Sequence, residues 1–276
     1  MKKDDSFRRK ALSSIKMRFK LDAAFGADGY AGCGPLVPPA SEVLKPPEKP
    51  KPAPAPPAPP PKARLEVTMS LLKKSDFMDE PLPVEERERL LAELAAEIKD
   101  CRRCDVNPDR LNAVPGEGAP DARVMFVGEA PGRDEDIQGR PFVGRAGKML
   151  TDIIEKGMRL ARSDVYIANV LKCRPPGNRT PTPLEASVCG PYLERQIEII
   201  RPAVICALGA VAARYLLDVP PSTSMRVMRQ QVHDYRGIPV VVTYHPSYLL
   251  RNPAAKKDVW KDIQEVMRIA GIERGK

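Results

Sequence analysis

No stretch of this 276-residue chain approaches 18 consecutive apolar residues, so a membrane-spanning helix is not expected. Its basic start, MKKDDSFRRKALSSIKMRFK, lacks the apolar run and small-residue cleavage site of a secretory signal. Nucleotide fingerprints are missing too. Gly147-Lys148 has neither the upstream glycine nor the Ser/Thr of a P-loop, and the loop Gly128-Glu129-Ala130-Pro131-Gly132 lacks the third glycine of G-x-G-x-x-G. Nucleotide-triphosphate hydrolysis is therefore set aside. Aromatics make up only 5% of the chain and there are two histidines, so a ring or an imidazole beside a loop of unusual composition stands out. There is no internal repeat.

Proline, by contrast, is plentiful and uneven. Of 31 prolines, twelve fall between Pro38 and Pro61, a composition that gives an extended polyproline-rich linker rather than helix or sheet. Charge divides the same way: residues 1–64 carry +7 of the net +9. A basic, flexible tail attracts polyanions through counterion release, or simply keeps the chain in solution. The expectation is a disordered tail over 1–82 and one folded domain over 83–276. Six cysteines, two of them in C-x2-C, suit a reducing compartment and metal binding better than a disulfide framework, so the chain is expected in the cytoplasm.

From Pro83 the pattern becomes periodic. Acidic residues in the first turn and Leu90, Leu91, Leu94 and Ile98 at helical spacing predict a helix ending at Cys101. Short apolar runs at Arg123–Val127, Asp164–Val170, Ala203–Leu208 and Ile238–Thr243 predict four strands. Between and after them, helices are expected at about Arg145–Met158, Thr182–Ile200, Ala210–Leu217 and Asn252–Ile269, the second opened by the capping box Thr182-Pro-Leu-Glu185. Buried strands alternating with helices imply an α/β fold, a parallel sheet covered on both faces, whose ligands bind beyond the strand carboxyl ends. The segments beginning at Gly128, Asn169 and Tyr244 all fall there.

Cys101 and Cys104, with Cys173 and Cys189 downstream, form a four-thiol set, and their number does not separate zinc from iron–sulfur. Cys206, inside a strand, is expected to be an inert core thiol, and Cys33 a bystander. The glycines of Gly128–Gly132 allow close approach of backbone N–H groups to a flat ligand, or simply a turn. Phe142 is a core plug or a stacking platform. Asn169, interrupting an apolar strand, is a backbone tie or a reader of a ligand edge. His245, at the end of the fourth strand, is structural or an acid, base or hydrogen-bond donor.

Taken together and in order, C-R-R-C, R-V-M-F-V-G-E-A-P-G, G-R-P-F-V-G-R-A-G, Y-I-A-N-V-L-K-C-R-P-P-G-N-R-T-P-T-P and T-Y-H-P-S-Y-L-L-R-N-P resemble the family 4 uracil-DNA glycosylases over about residues 83–272. The resemblance implies a three-layer αβα domain on a central four-stranded parallel sheet. It implies a 4Fe-4S cluster on Cys101, Cys104, Cys173 and Cys189, and hydrolysis of uracil from DNA. By the same resemblance Phe142 stacks on the flipped base, Asn169 reads its edge, and His245 donates to O2. Gly128, Glu129 and Ala130 line the pocket, and Glu135 crowds C5 against thymine. Ala130 stands where the best-known branch has a water-activating aspartate, which leaves Glu129 or unassisted water. Arg174–Arg179 runs straight to the capping box, without the insertion of the branch that bonds covalently to DNA, which favours turnover. A monomer on uracil-containing DNA is expected, nucleoid-associated, its tail contacting DNA or a replication or repair protein.

Overall fold

The computed structural model describes residues 82–104, 110–220, 222–229 and 231–273. The expected tail, apart from Leu82, lies outside the described residues. In chain order the elements are α1 (Val84–Asp100), β1 (Glu117–Gly118), β2 (Val124–Gly128), α2 (Arg133–Gln138), α3 (Arg145–Asp152), β3 (Tyr166–Asn169), α4 (Pro183–Ile200), β4 (Val204–Leu208), α5 (Ala210–Leu217), α6 (Met225–Met228), β5 (His233–Tyr235), β6 (Ile238–Thr243), α7 (Pro246–Arg251) and α8 (Lys256–Ala270). Among the described residues no helix is long and apolar enough to cross a membrane.

The sheet order is β1-β3-β2-β4-β6-β5. Its four inner strands are parallel, as the four apolar runs imply, while β1 and β5 are short antiparallel edges that the sequence did not announce. Two or three residues with polar or glycine members carry too little alternation to be read as strands. Side chains of successive strand residues face opposite ways. In β2, Met125 and Val127 join the layer under α1, α4 and α5, while Val124 and Phe126 join the layer under α3 and α8. Each fully buried aliphatic or aromatic side chain contributes roughly 1.5–3 kcal/mol over exposure. These two layers fix the strand register, and with it which residues reach the carboxyl edge.

Several boundaries move for local reasons. The capping box forms as expected: the Thr182 hydroxyl accepts from the Glu185 N–H at 3.2 Å, and the Glu185 carboxylate accepts from the Thr182 N–H at 2.8 Å. The helix from Arg145 widens into a π-helical turn over Ile153–Met158. The expected strand from Asp164 begins at Tyr166, because Arg162–Asp164 close a 3-10 turn. Beyond β6, helix begins sooner than expected. Pro246 occupies the first position of α7, where a missing N–H costs nothing, so His245 becomes its N-cap.

Candidate active site

The order in which strands are added reverses at the middle of the sheet: β2 feeds β3 on one side, while its other neighbour β4 leads away to β6. The crevice beyond the carboxyl ends at such a point is where open α/β sheets place ligands. Gly128 ends β2 and pairs with Asn169 at the end of β3, while β6 delivers Tyr244 and His245 alongside.

The absence of a side chain at Gly128 is what lets this site exist. A Cβ there would lie 2.3 Å from the Asn169 Oδ1 and 2.5 Å from the Phe142 Cζ. The amide and the ring therefore converge on one bare backbone. Asn169 is 2% exposed, and its Oδ1 accepts no hydrogen bond among the described residues. A buried carbonyl oxygen left without a partner costs about 1–3 kcal/mol, which a ligand donor would recover. Phe142 is buried with φ of 50°, a conformation that is rare for an aromatic residue and persists only where its surroundings impose it. They do so from both sides. The Glu135 carboxylate accepts from the N–H groups of Val143 and Gly144, both at 2.9 Å, and of Gly132 at 3.0 Å. The Arg162 guanidinium donates to the Pro141 carbonyl at 2.6 Å while pairing with Glu117. Gly147 packs so close to Phe142 that a Cβ would meet its carbonyl.

His245 completes the group, its ring centroid 5.6 Å from that of Phe142. Its Nδ1 accepts from the Ser247 N–H at 3.2 Å and lies 2.8 Å from the Ser247 hydroxyl. With Nδ1 accepting from an amide, the neutral ring carries its proton on Nε2. Burial pushes the imidazole down to about 4, and the Arg251 charge adds to this, against a smaller upward pull from Glu135. Gly209, at a φ of 90°, would bring a Cβ to 3.0 Å from the His245 Cβ, so a second bare backbone at the sheet edge seats the histidine.

The remaining expected residues are placed less tightly. Ala130 packs against the first core layer. Glu129 lies one residue past β2, its carbonyl accepting from the Leu171 N–H, and burial raises its carboxyl above the ordinary range. Both oxygens of Glu135 are engaged by backbone N–H groups, so it holds the Phe142 loop. Substituting Glu135 by Gln removes an acceptor for paired N–H groups and is expected to loosen the loop that holds Phe142 and lower the melting temperature. Thermal denaturation of the variant beside the parent would report that loosening. Sequence reasoning passed over Gly209 and Arg162, read Gly147 only against a P-loop, and gave Ser247 no role of its own. The usable signal was the repetition of glycine at the end of a buried strand, as its last residue at Gly128 and just beyond it at Gly209.

Beyond Asn169 along the chain, Cys173 joins Cys101, Cys104 and Cys189 in lining one narrow cavity with Arg110, Lys172 and Tyr192. Donors that favour thiolate sulfur surround it: the Arg110 guanidinium points to Cys173, and the Lys172 N–H reaches Cys189 Sγ at 3.2 Å. Among the described residues no three His, Cys, Asp or Glu side chains are gathered as they would be around one metal ion. The four thiols stand around a shared opening instead. Cys206 is fully buried in β4, and burial raises its thiol.

The fold and site define a doubly wound α/β protein at whose sheet edge an aromatic ring, an unpaired amide oxygen and an imidazole converge. A family model of the uracil DNA glycosylase superfamily matches residues 115–264. The chain is 48% identical to a type-4 uracil-DNA glycosylase of Thermotoga maritima, covering 65% of this chain and 94% of that protein. Over 66% of this chain and 94% of the relative, it is 45% identical to the type-4 enzyme of Archaeoglobus fulgidus. A type-5 uracil-DNA glycosylase of Pyrobaculum aerophilum is more distant, at 33% identity over 59% of this chain and 76% of its own length. The chain belongs to the uracil DNA glycosylase superfamily, in its type-4 branch.

Proposed function

We propose that this chain hydrolyses the N-glycosidic bond of uracil in DNA, the first step of excision repair of deaminated cytosine. The observation that carries the reading is the unpaired, buried Asn169 Oδ1 facing the Phe142 ring across Gly128, with His245 beside them. Uracil offers N3–H to that oxygen and O4 to the amide N–H. Cytosine presents an acceptor and a donor in the same places, so it would leave buried polar groups mismatched. Bringing the base into the pocket costs a few kcal/mol of unstacking, and stacking on Phe142 returns about 1–3 kcal/mol.

Bond cleavage between N1 and the sugar C1′ leaves the electron pair on the base, spread onto O2. His245 Nε2–H is the donor for that oxygen; it is neutral and stays hydrogen-bonded through departure. Water adds to the cationic sugar carbon and loses its proton. Glu129, whose burial disfavours the charged form, is the nearest candidate acceptor by sequence position, with Ala130 supplying none. Gly128 and Ala130 line the floor, and Glu135 holds the aromatic wall.

The four cysteines would hold a 4Fe-4S cluster, a reading supported by an all-thiol donor set around one cavity and by N–H donors aimed at its sulfurs. When bound, such a group supplies a covalent tie between the end of α1 and the segments carrying Cys173 and Cys189. A broad visible absorbance with iron near four per chain is the expected outcome for purified protein. Zinc in its place would remove the cluster from the account.

The domain from 83 onward is read as the catalytic unit, monomeric and nucleoid-associated, with the basic tail contacting DNA or a repair partner. Incubation with a uracil-containing oligonucleotide, followed by alkali, tests the whole. Free uracil with strand scission is expected. An SDS-resistant adduct would mean covalent capture, and neither product would reduce the domain to a DNA-binding module.

A further inference from the structure

Lys172 is 1% exposed, and both acceptors of its ammonium are neutral: the Asn169 main-chain oxygen at 2.8 Å and the Gln196 Oε1 at 2.6 Å. The thiols whose cavity Lys172 also lines offer it negative charge when ionised, yet its ammonium donates to Asn169 and Gln196, and an apolar side chain would serve a fold that needed only packing here. Its surroundings are equally committed. Gln196 is fixed by donating to the Pro115 carbonyl at 2.8 Å, and the Lys172 carbonyl accepts from the Val114 N–H at 2.7 Å. The Lys172 N–H meets Cys189, and the next residue is Cys173. Residues 169–173 thus run directly from the base-reading amide to the thiol-lined cavity.

We propose that Lys172 is a positioning residue for base recognition: by gripping the Asn169 carbonyl, it fixes the peptide from which the Asn169 amide projects, making 169–173 a strut between the two centres. This rests on Asn169 reading uracil. The lysine touches no substrate. Its role is to hold an amide whose side chain has no hydrogen bond of its own to Oδ1 in the described structure. The strut also gives the distant cysteines a mechanical bearing on the pocket.

The test is a double-mutant cycle on the full chain, with Lys172→Met, Asn169→Ala and their combination, read by single-turnover excision of uracil. Misplacing a contact by about 1 Å can cost up to about 100-fold, so Lys172→Met is expected to lose on the order of 10- to 100-fold. In the Asn169→Ala background the same change should cost less than about threefold, because groups acting through one another are not additive. Metal content per chain and affinity for abasic-site DNA should stay within about twofold of the parent, whereas inhibition by free uracil should weaken in Lys172→Met.

If Asn169→Ala excises at the parental rate, the reading of the site fails. If Asn169→Ala is slow but Lys172→Met adds its full effect on top, the strut alone fails. Gln196→Met, which removes only one anchor of the ammonium, repeats the cycle where Lys172→Met does not fold. Loss of folding in both variants would overturn the proposal by assigning the lysine to stability alone.

Discussion

Replacing His245 by alanine is expected to slow single-turnover uracil release by about 10²–10³, the usual cost of removing one donor from a developing anion. Affinity for abasic-site DNA should hardly change. The geometry adds a condition on pH. Nδ1 is occupied by the Ser247 N–H, so the useful proton sits on Nε2 of a neutral ring, and burial keeps the ring neutral down to about 4. The parental excision rate should therefore pass through pH 6.5 without a step from His245. An acid limb is expected only from Glu129, above its ordinary value because burial raises it, and it should vanish in Glu129→Gln. A rate that falls on alkaline titration near 6.5, and does so only when His245 is present, would show an imidazolium donor and defeat this reading. Stability follows with a fixed sign. The unfolded imidazole takes its proton near 6.5 and the folded one only near 4, so the fold loses stability as pH falls through that window. His245→Gln should lose less than the parent between those values in denaturant titrations.

The sequence carried the parallel core because apolar runs of five to seven residues between helices permit few other arrangements. It also put Gly128, Asn169 and His245 at or just beyond the ends of such runs, and the structure gathers them there with Phe142. It did not carry the roles of the supporting residues. Arg162 reads as an ordinary surface arginine, yet it donates at once to Thr151, Glu117 and the Pro141 carbonyl. Nothing in local composition shows that three distant segments meet there. Lys172 reads as a charge beside a cysteine, and only burial exposes the cost of placing it. Phe142 was legible as either plug or platform, and the structure gives reason for both: it belongs to the second core layer, and it also faces the bare edge at Gly128. The short edges β1 and β5 stayed hidden because pairing, not side-chain pattern, makes them strands.

A single methyl group at Gly128 should do nearly as much damage as loss of the histidine. Gly128 has an ordinary φ, so alanine is forbidden there by space alone: its Cβ would press on the Asn169 Oδ1 at 2.3 Å and on the Phe142 ring at 2.5 and 2.7 Å. Relief requires the Asn169 amide or the Phe142 ring to swing aside, because the three backbones are held. The Phe142 backbone is fixed by Glu135 and Gly147, the Asn169 peptide is gripped by Lys172, and Gly128 itself is paired in the sheet, its carbonyl accepting from the Val170 N–H at 3.0 Å. Overpacking of this kind costs about 1–3 kcal/mol of stability. A ring or amide displaced by about 1 Å costs on the order of 100-fold in rate. Gly128→Ala is therefore expected to fold with a lowered melting temperature, excise about 100-fold more slowly, and lose inhibition by free uracil. The last effect separates a filled pocket from a merely softened fold, because a destabilised protein with an intact pocket would still bind the free base. Parental excision and parental uracil inhibition in Gly128→Ala would mean that the ring and the amide do not share a guest across this backbone.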